Sequence, residues 1–128
     1  MSAASNYLEN ALLDHFLGTA AYTMPNPVYC SLHTANPDED ASGTEVSGNG
    51  YSRQQMDFDA ASGGSAANSA DTDFTASGGD WGTITHWAIW DASTVGNMLV
   101  YGAFTNSRII ADTETLRIDA GDLIVNVA

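Results

Sequence analysis

At 128 residues the chain has the length of one domain, and its 44% hydrophobic residues suffice for one core of ordinary size but not for a second. Sixteen acidic residues face three arginines and no lysine, which gives a formal net charge of -13. Because affinity for phosphate backbones and anionic lipid surfaces depends on Lys and Arg, this charge excludes nucleic acid and membrane surfaces as partners. Its simplest consequence is solubility.

Two further features bound the class of protein. Cys30 is the only cysteine, so no disulfide can form within the chain and the fold must depend on packing. No charged leader followed by an apolar stretch opens the sequence, and no apolar run is long enough to span a bilayer. The sequence therefore predicts a soluble chain that is synthesised in the cytoplasm.

One amphipathic helix is predicted near the N-terminus, over residues 7–17, after an N-terminal arm of residues 1–6. Asn6 is the predicted N-cap, with Glu9 reaching back to it from three residues later. Gly18 is placed to end the helix. The apolar side chains recur at helical spacing, at Leu8, Ala11, Leu12 and Phe16. This apolar face is expected to pack against a sheet.

Residues 28–128 are interpreted as a series of short strands separated by turn residues. Residues 28–34 alternate between apolar and polar side chains, which is typical of a half-buried strand. Residues 36–50 form a long polar loop, and loops of that length in a compact domain commonly bind something or move. A Gly/Ser/Ala stretch covers residues 60–70. Further strands are predicted over 51–58, around Phe74, and over 107–111, 115–118 and 123–127.

The densest apolar segment, residues 80–104, contains all three tryptophans and is interpreted as two strands joined by a polar loop. Apolar side chains fall on both faces of the first strand, which predicts that it is covered on both sides. One face is assigned Ile84, Ala88 and Trp90, and the other Trp87 and Ile89. The whole pattern predicts a mainly β single domain, an antiparallel β-sandwich or flattened barrel with one N-terminal helix.

The sequence contains no recognisable reactive constellation. His15, His33 and His86 share no metal-ligand spacing and are interpreted as structural. A hydrolase with a site around His86 and Asp91 is the least favoured hypothesis, since no Gly-x-Ser-x-Gly elbow accompanies these residues. The acidic cluster 38–40 lies in a turn-rich loop, where solvation explains it; Ca²⁺ binding there stays open, although the EF-hand pattern is absent. No cofactor and no metal site are predicted.

Five segments together resemble a family of small tailed-phage virion proteins, often described as tail-fibre-like: residues 6–16, 28–34, 43–53, 80–91 and 120–125. They span nearly the whole chain in a consistent order. The resemblance implies a structural virion protein that is made in the host cytoplasm, with no catalytic residues to carry over. The chain has no lysine, and this is the one departure from the family pattern.

Compact size, strong negative charge and the lack of a repeat favour a capsid decoration (cement) protein on the outer surface of the head. Such a protein would bind across subunits of the major capsid protein as a symmetric homo-oligomer, with a trimer preferred. The alternative is a tail-fibre or tail-tip module that recognises a host surface glycan or protein. The candidate partner-binding residues lie in the arm, in the polar loop and at the entrance of the hairpin: Ser2, Ala3, Ala4, Ser5, Asn6, Asp38, Glu39, Asp40, Glu45 and Trp81.

Overall fold

The computed structural model describes residues 2–126 and confirms a mainly β fold with antiparallel sheets and one helix near the N-terminus. The flattened-barrel alternative is wrong for these residues, because the largest sheet keeps two open edges. The elements, in chain order, are β1 (Ser2–Ala4), α1 (Asn6–Phe16), β2 (Tyr29–His33), β3 (Gln54–Gln55), β4 (Ser65–Ala67), β5 (Thr72–Thr75), β6 (Gly82–Trp90), β7 (Met98–Ile110), β8 (Thr115–Ile118) and β9 (Ile124–Asn126).

The central sheet has five strands in the order β1-β7-β6-β2-β3, and two smaller sheets pair β4 with β9 and β5 with β8. One hydrophobic cluster joins the central sheet to the β5–β8 pair. It includes Leu32 of β2, Phe74 of β5, Ile84 and Trp87 of β6, and Leu116 of β8. The core therefore lies between the central sheet and the shorter strands, and no helix within residues 2–126 is long and apolar enough to cross a membrane.

Helix α1 begins one residue earlier than predicted, and its N-cap is Ser5 rather than Asn6. The Ser5 hydroxyl accepts a hydrogen bond from the Leu8 amide at 3.2 Å and donates one to the Met98 carbonyl. The Ser5 amide donates to the Leu99 carbonyl at 2.8 Å, so the capping residue is held by β7. The sheet therefore decides where the helix starts, which local capping preferences could not show.

The N-terminal segment is a strand and not the free arm that the sequence suggested. Ser2, Ala3 and Ala4 pair antiparallel with Gly102, Tyr101 and Val100 of β7. Small residues such as these give no strand signal of their own, so only the pairing with β7 reveals the element. Met1 lies outside the described residues.

The β6–β7 hairpin is confirmed, but a bulge changes which residues share a face. Ile84 pairs with Arg108, and the next pair is His86 with Ala103, so Thr85 lies opposite residues 104–107 of β7. Such an insertion shifts the alternation of side chains. Ile84 consequently packs in the main core with Trp87 and Ile89, whereas Ala88 and Trp90 form a second cluster with Met98. The predicted grouping of Ile84 with Ala88 and Trp90 is wrong for this reason.

The other strands differ from their predictions mainly in extent. β2 was expected to be half-buried, but Cys30, Ser31, Leu32 and His33 are all at most 1% exposed. The strand predicted over 51–58 shrinks to Gln54–Gln55, and β7 joins the two strands predicted up to residue 104 and over 107–111. The Gly/Ser/Ala stretch contains β4, which pairs with β9. Residue 127 of the last predicted strand lies outside the described residues.

Candidate interaction surfaces

Glu45, a predicted partner-binding residue, is engaged inside the molecule. Its carboxylate accepts hydrogen bonds from the Arg53 guanidinium at 2.9 and 3.0 Å and from the Tyr51 hydroxyl at 2.6 Å. Burial alone raises the pKa of Glu45, but the hydrogen bonds from Arg53 and Tyr51 outweigh that effect and hold the pKa below its usual value. Glu45 is therefore charged and paired at neutral pH.

Arg53 extends this ion pair to the loop between β6 and β7. Its guanidinium donates to the carbonyls of Ala92 and Val95 at 3.0 and 2.8 Å. The same group lies 3.8 Å from the centre of the Trp90 ring, a cation–π contact. Arg53 thus ties the polar loop, through Glu45, to the tip of the hairpin, and we refer to these contacts as the Arg53 clamp.

A buried polar network lies beneath the Arg53 clamp, on β2 and β6. The Ser31 hydroxyl lies 2.7 Å from Nε2 of His33 and accepts a hydrogen bond from the Trp90 indole N–H at 2.8 Å. Nδ1 of His33 has no hydrogen-bond partner in the described part of the chain. Burial lowers the pKa of His33 to about 4, so the ring is neutral at pH 7.

The Ser31–His33 pair has the donor and acceptor types of a nucleophile and its base, but no substrate can reach it. Ser31 is 0% exposed and His33 is 1% exposed. Sequence reasoning placed both residues on the polar face of one strand and interpreted His33 as structural. Because side chains alternate along a strand, the sequence could have shown that Ser31 and His33 are neighbours on one face. The burial of both residues agrees with a structural role for His33.

The hydrolase hypothesis paired two residues that the fold keeps apart. His86 lies within β6, and Asp91 follows the end of that strand at Trp90, which is itself about 13 Å along the extended chain from His86. Nδ1 of His86 is hydrogen-bonded to the Thr85 hydroxyl, and the Asp91 carboxylate accepts from the amide and the side chain of Asn97. Among residues 2–126, no three His, Cys, Asp or Glu side chains are grouped so that they could hold a metal ion.

Trp81, a candidate partner-binding residue, is buried in the structure, with 7% of its surface exposed, and partner binding by it stays a prediction. Its indole N–H donates a hydrogen bond to the Asn49 carbonyl at 3.0 Å. Its ring packs perpendicular to the Tyr51 ring, with 5.6 Å between the ring centroids. Asn49 belongs to the long polar loop, which covers the entrance of β6. The burial could not be foreseen because it depends on a contact between residues far apart in sequence.

The acidic cluster and the start of the helix are brought together by the fold. The Asn6 amide donates to the Glu39 carbonyl at 3.0 Å. Asp38, Glu39 and Asp40 remain exposed, and hydrogen bonds from Ser42 lower the pKa of Asp40. A partner that reaches the acidic loop would therefore also meet Asn6, and partner binding by these residues stays a prediction.

The outer face of α1 carries an apolar surface that the sequence assigned to packing. Leu13, Phe16 and Leu17 are 47%, 68% and 67% exposed and recur at helical spacing, and we call them the α1 stripe. Phe16 was predicted to face the sheet, which is wrong. Among the strands, the helix has its main contacts with β1 and β7, and Leu8 is its one buried residue within the described chain, so the face that carries the stripe stays uncovered.

A second uncovered surface is an open groove of about 470 Å³ between β7 and the strands β8 and β9. Its floor is apolar, with Trp87, Leu116 and Leu123 buried there. Its rim is polar and includes Arg108 and Arg117. Sequence reasoning missed this groove, because its two arginines lie on separate predicted strands and no local pattern connects them.

The fold and these surfaces define a class of protein before any comparison is made. The described side chains that could react are buried, ion-paired or kept apart, while the α1 stripe and the groove beside β7 remain open. Such features are those of a small β-rich binding or structural protein.

A family model described as podophage GP4 fiber I protein gp80 matches residues 3–126. The chain belongs to this family of phage virion structural proteins, and the resemblance found in the sequence is confirmed. The family is one of structural fibre proteins, which is consistent with a role other than catalysis, and it associates the protein with the virion. No curated protein matches the chain.

Proposed function

We propose that the protein is a structural component of a podophage fibre. The observation that carries this proposal is the family match, which extends over residues 3–126. A charge of -13 supports a position away from packaged DNA, because like charges repel. The function is mechanical: the protein adds a rigid β module and its surfaces to a larger assembly.

Assembly is proposed to involve two surfaces of this chain. The α1 stripe supports contact between copies, since three neighbouring apolar side chains in water favour burial against a partner. A homo-oligomer, with a trimer preferred, would bury it. The acidic loop around Asp38 and Asp40, with Asn6 beside it, is the proposed contact with other virion proteins, whose complementary surface would carry Lys or Arg.

The second candidate is a capsid decoration protein bound outside the head across subunits of the major capsid protein. It is supported by the compact acidic chain, which contains no internal repeat of the kind that builds a long shaft. Decoration proteins occur in hundreds of copies per particle, whereas a fibre component occurs in few.

Electron cryomicroscopy of the podophage particle that carries this protein separates the two candidates. We expect density for the β6–β7 hairpin and its bulge in fibres, at low copy number per particle. Density for the chain over the head lattice, with copy number scaling with capsid subunits, would overturn the fibre proposal and support decoration. Quantitative mass spectrometry of purified particles measures the copy number independently of the map.

A further inference from the structure

The groove lies where the sheet is open between two strands. β7 pairs with β1 only through Val100, Tyr101 and Gly102, and beyond Gly102 no strand of residues 2–126 pairs with that edge. β8 pairs with β5 and with no other strand in the same part of the chain. Phe104, Thr105 and Asn106, which belong to the bulge of residues 104–107, line this gap.

The three arginines of this acidic chain differ in how they are used. Arg53 is committed to Glu45 and to two carbonyls, and Arg117 forms a two-pronged pair with Asp73 at 2.7 and 3.0 Å. Arg108 forms no ion pair with any carboxylate of residues 2–126. Its one hydrogen bond there is a long contact of 3.4 Å to the Thr115 carbonyl. Most of its donors therefore remain available in the groove.

An uncommitted arginine is informative because acidic residues outnumber arginines sixteen to three in this chain. The charged side chains that line the groove are Arg108, Arg117 and Asp122. Since Arg117 is already paired with Asp73, Arg108 is the cation of this lining that remains for a ligand. A guanidinium with free donors matches the geometry of a carboxylate or phosphate. The groove is thus the place on the described surface where an anionic group finds a free cation.

The remaining lining fits a sugar ring better than a purely apolar ligand. Phe104 is half-buried at the groove and Trp87 contributes to its floor, which provides an apolar surface for the C–H face of a ring. Thr105 and Asn106 are exposed and supply hydroxyl and amide groups for hydrogen bonds to sugar hydroxyls. A volume of about 470 Å³ lies within the range of small-molecule sites.

We propose that this groove binds an anionic saccharide, a sugar that carries a carboxylate or phosphate group, with Arg108 paired to the anionic group. Binding itself is independent of where the protein sits in the particle. The assignment of that saccharide to a host surface polysaccharide rests on the proposed fibre function.

The test is titration of the full chain, labelled with ¹⁵N, followed by NMR. Three sugars are used: trigalacturonate, its methyl ester, and glucose 1-phosphate. A synthetic peptide of residues 36–45 tests whether the groove instead takes an acidic protein segment. We expect trigalacturonate or glucose 1-phosphate to shift the amides of Asn106, Arg108 and Leu123, and the neutral methyl ester to bind far more weakly.

Two variants locate the interaction. Arg108→Gln is expected to weaken binding of the anionic sugar about tenfold or more. Thr94→Asp is the control, because it makes the net charge more negative by the same one unit but lies in the exposed loop at the other end of the hairpin. This variant should bind the anionic sugar as the wild type does. If only trigalacturonate shifts these amides, the anionic group of the natural ligand is a carboxylate. If only glucose 1-phosphate shifts them, it is a phosphate, and either result supports the proposal.

Four results would overturn it: no shifts with either anionic sugar, equal binding of the methyl ester, equal loss in both variants, or shifts with the peptide only. None of these results bears on the copy number or position of the protein in the particle. The fibre proposal therefore stands or fails separately.

Discussion

At the scale of single residues, the buried polar groups decide how the protein responds to pH. His33 is neutral in the folded state because burial holds its pKa at about 4, whereas the pKa of a histidine in an unfolded chain is about 6.5. Between these values the unfolded chain binds more protons than the folded one. The stability that neutral His33 permits is therefore complete above about pH 6.5 and is lost as pH falls toward 4.

We expect the free energy of unfolding to fall by about 3 kcal/mol between pH 7 and pH 4 through His33 alone. Urea unfolding at several pH values measures it. Carboxylates titrate over part of the same range, so the informative quantity is the difference between wild type and His33→Gln, which cannot titrate. Identical slopes for wild type and His33→Gln would contradict the role of His33.

The Arg53 clamp is the second residue-scale feature. The Arg53 side chain is only 7% exposed, and its removal leaves the Glu45 carboxylate half-buried without its cation. We expect Arg53→Gln to lower the free energy of unfolding by about 3 kcal/mol, because breaking one side of a buried ion pair strands the other charge. The measurement is urea denaturation near neutral pH.

Arg117→Gln is the matched control for that measurement. Its pair with Asp73 is exposed, and solvent screening leaves an exposed ion pair little net effect on stability, so we expect a smaller change than for Arg53→Gln. If both substitutions cost the same, the clamp is not the stabilising feature that its burial suggests.

At the scale of elements, the contact of α1 with β7 is the feature that distinguishes the structure from the sequence pattern. Ser5 caps the helix and is itself held by Met98 and Leu99 of β7, while Asn6 is exposed and uses its backbone amide. Ser5 therefore lies between the end of β1 at Ala4 and the start of α1 at Asn6. A change at Ser5 affects two elements together, whereas a change at Asn6 affects neither cap bond.

We expect Ser5→Ala to destabilise the fold by about 1–2 kcal/mol, because it removes both the cap and the buried hydrogen bond that the Ser5 hydroxyl donates to the Met98 carbonyl. Asn6→Ala should change stability by a few tenths of that value or less. Thermal unfolding of both variants compares the two positions directly. If Asn6→Ala lowers the stability more than Ser5→Ala does, Asn6 is the N-cap, as the sequence predicted, and Ser5 is not.

At the scale of the whole molecule, net charge and the α1 stripe act against each other. Copies that each carry -13 repel, while exposed Leu13, Phe16 and Leu17 favour association. Since salt screens repulsion between exposed charges and leaves apolar burial intact, association should strengthen as ionic strength rises.

We expect sedimentation velocity of the wild-type chain to show larger species as salt increases, and Phe16→Ser to reduce them at every salt concentration. Tyr7→Ser, at another exposed position of α1 away from the stripe, is the control and should behave as wild type. Equal association of all three proteins would mean that copies meet through a different surface, and a monomer at every salt concentration would remove the stripe as a self-contact.

Features that depend on neighbouring residues could be predicted from the amino-acid sequence. Alternation and turn residues predicted the mainly β class, the β6–β7 hairpin and the β8 strand, and the family likeness of several segments predicted a phage virion protein. These signals are local or additive along the chain, so no tertiary contact was needed to interpret them.

Which surfaces are open depends on contacts between distant parts of the chain. Trp81 is covered by Asn49, Ser2 to Ala4 are paired with β7, and Glu45 is engaged by Arg53, each through a partner distant in sequence. Bulge residues line the open groove, and whether Arg108 has an ion-pair partner can be judged only when the carboxylates of residues 2–126 have positions. Exposure and pairing are properties of the packed chain, because they depend on which distant segments meet, and no periodicity along the sequence encodes that.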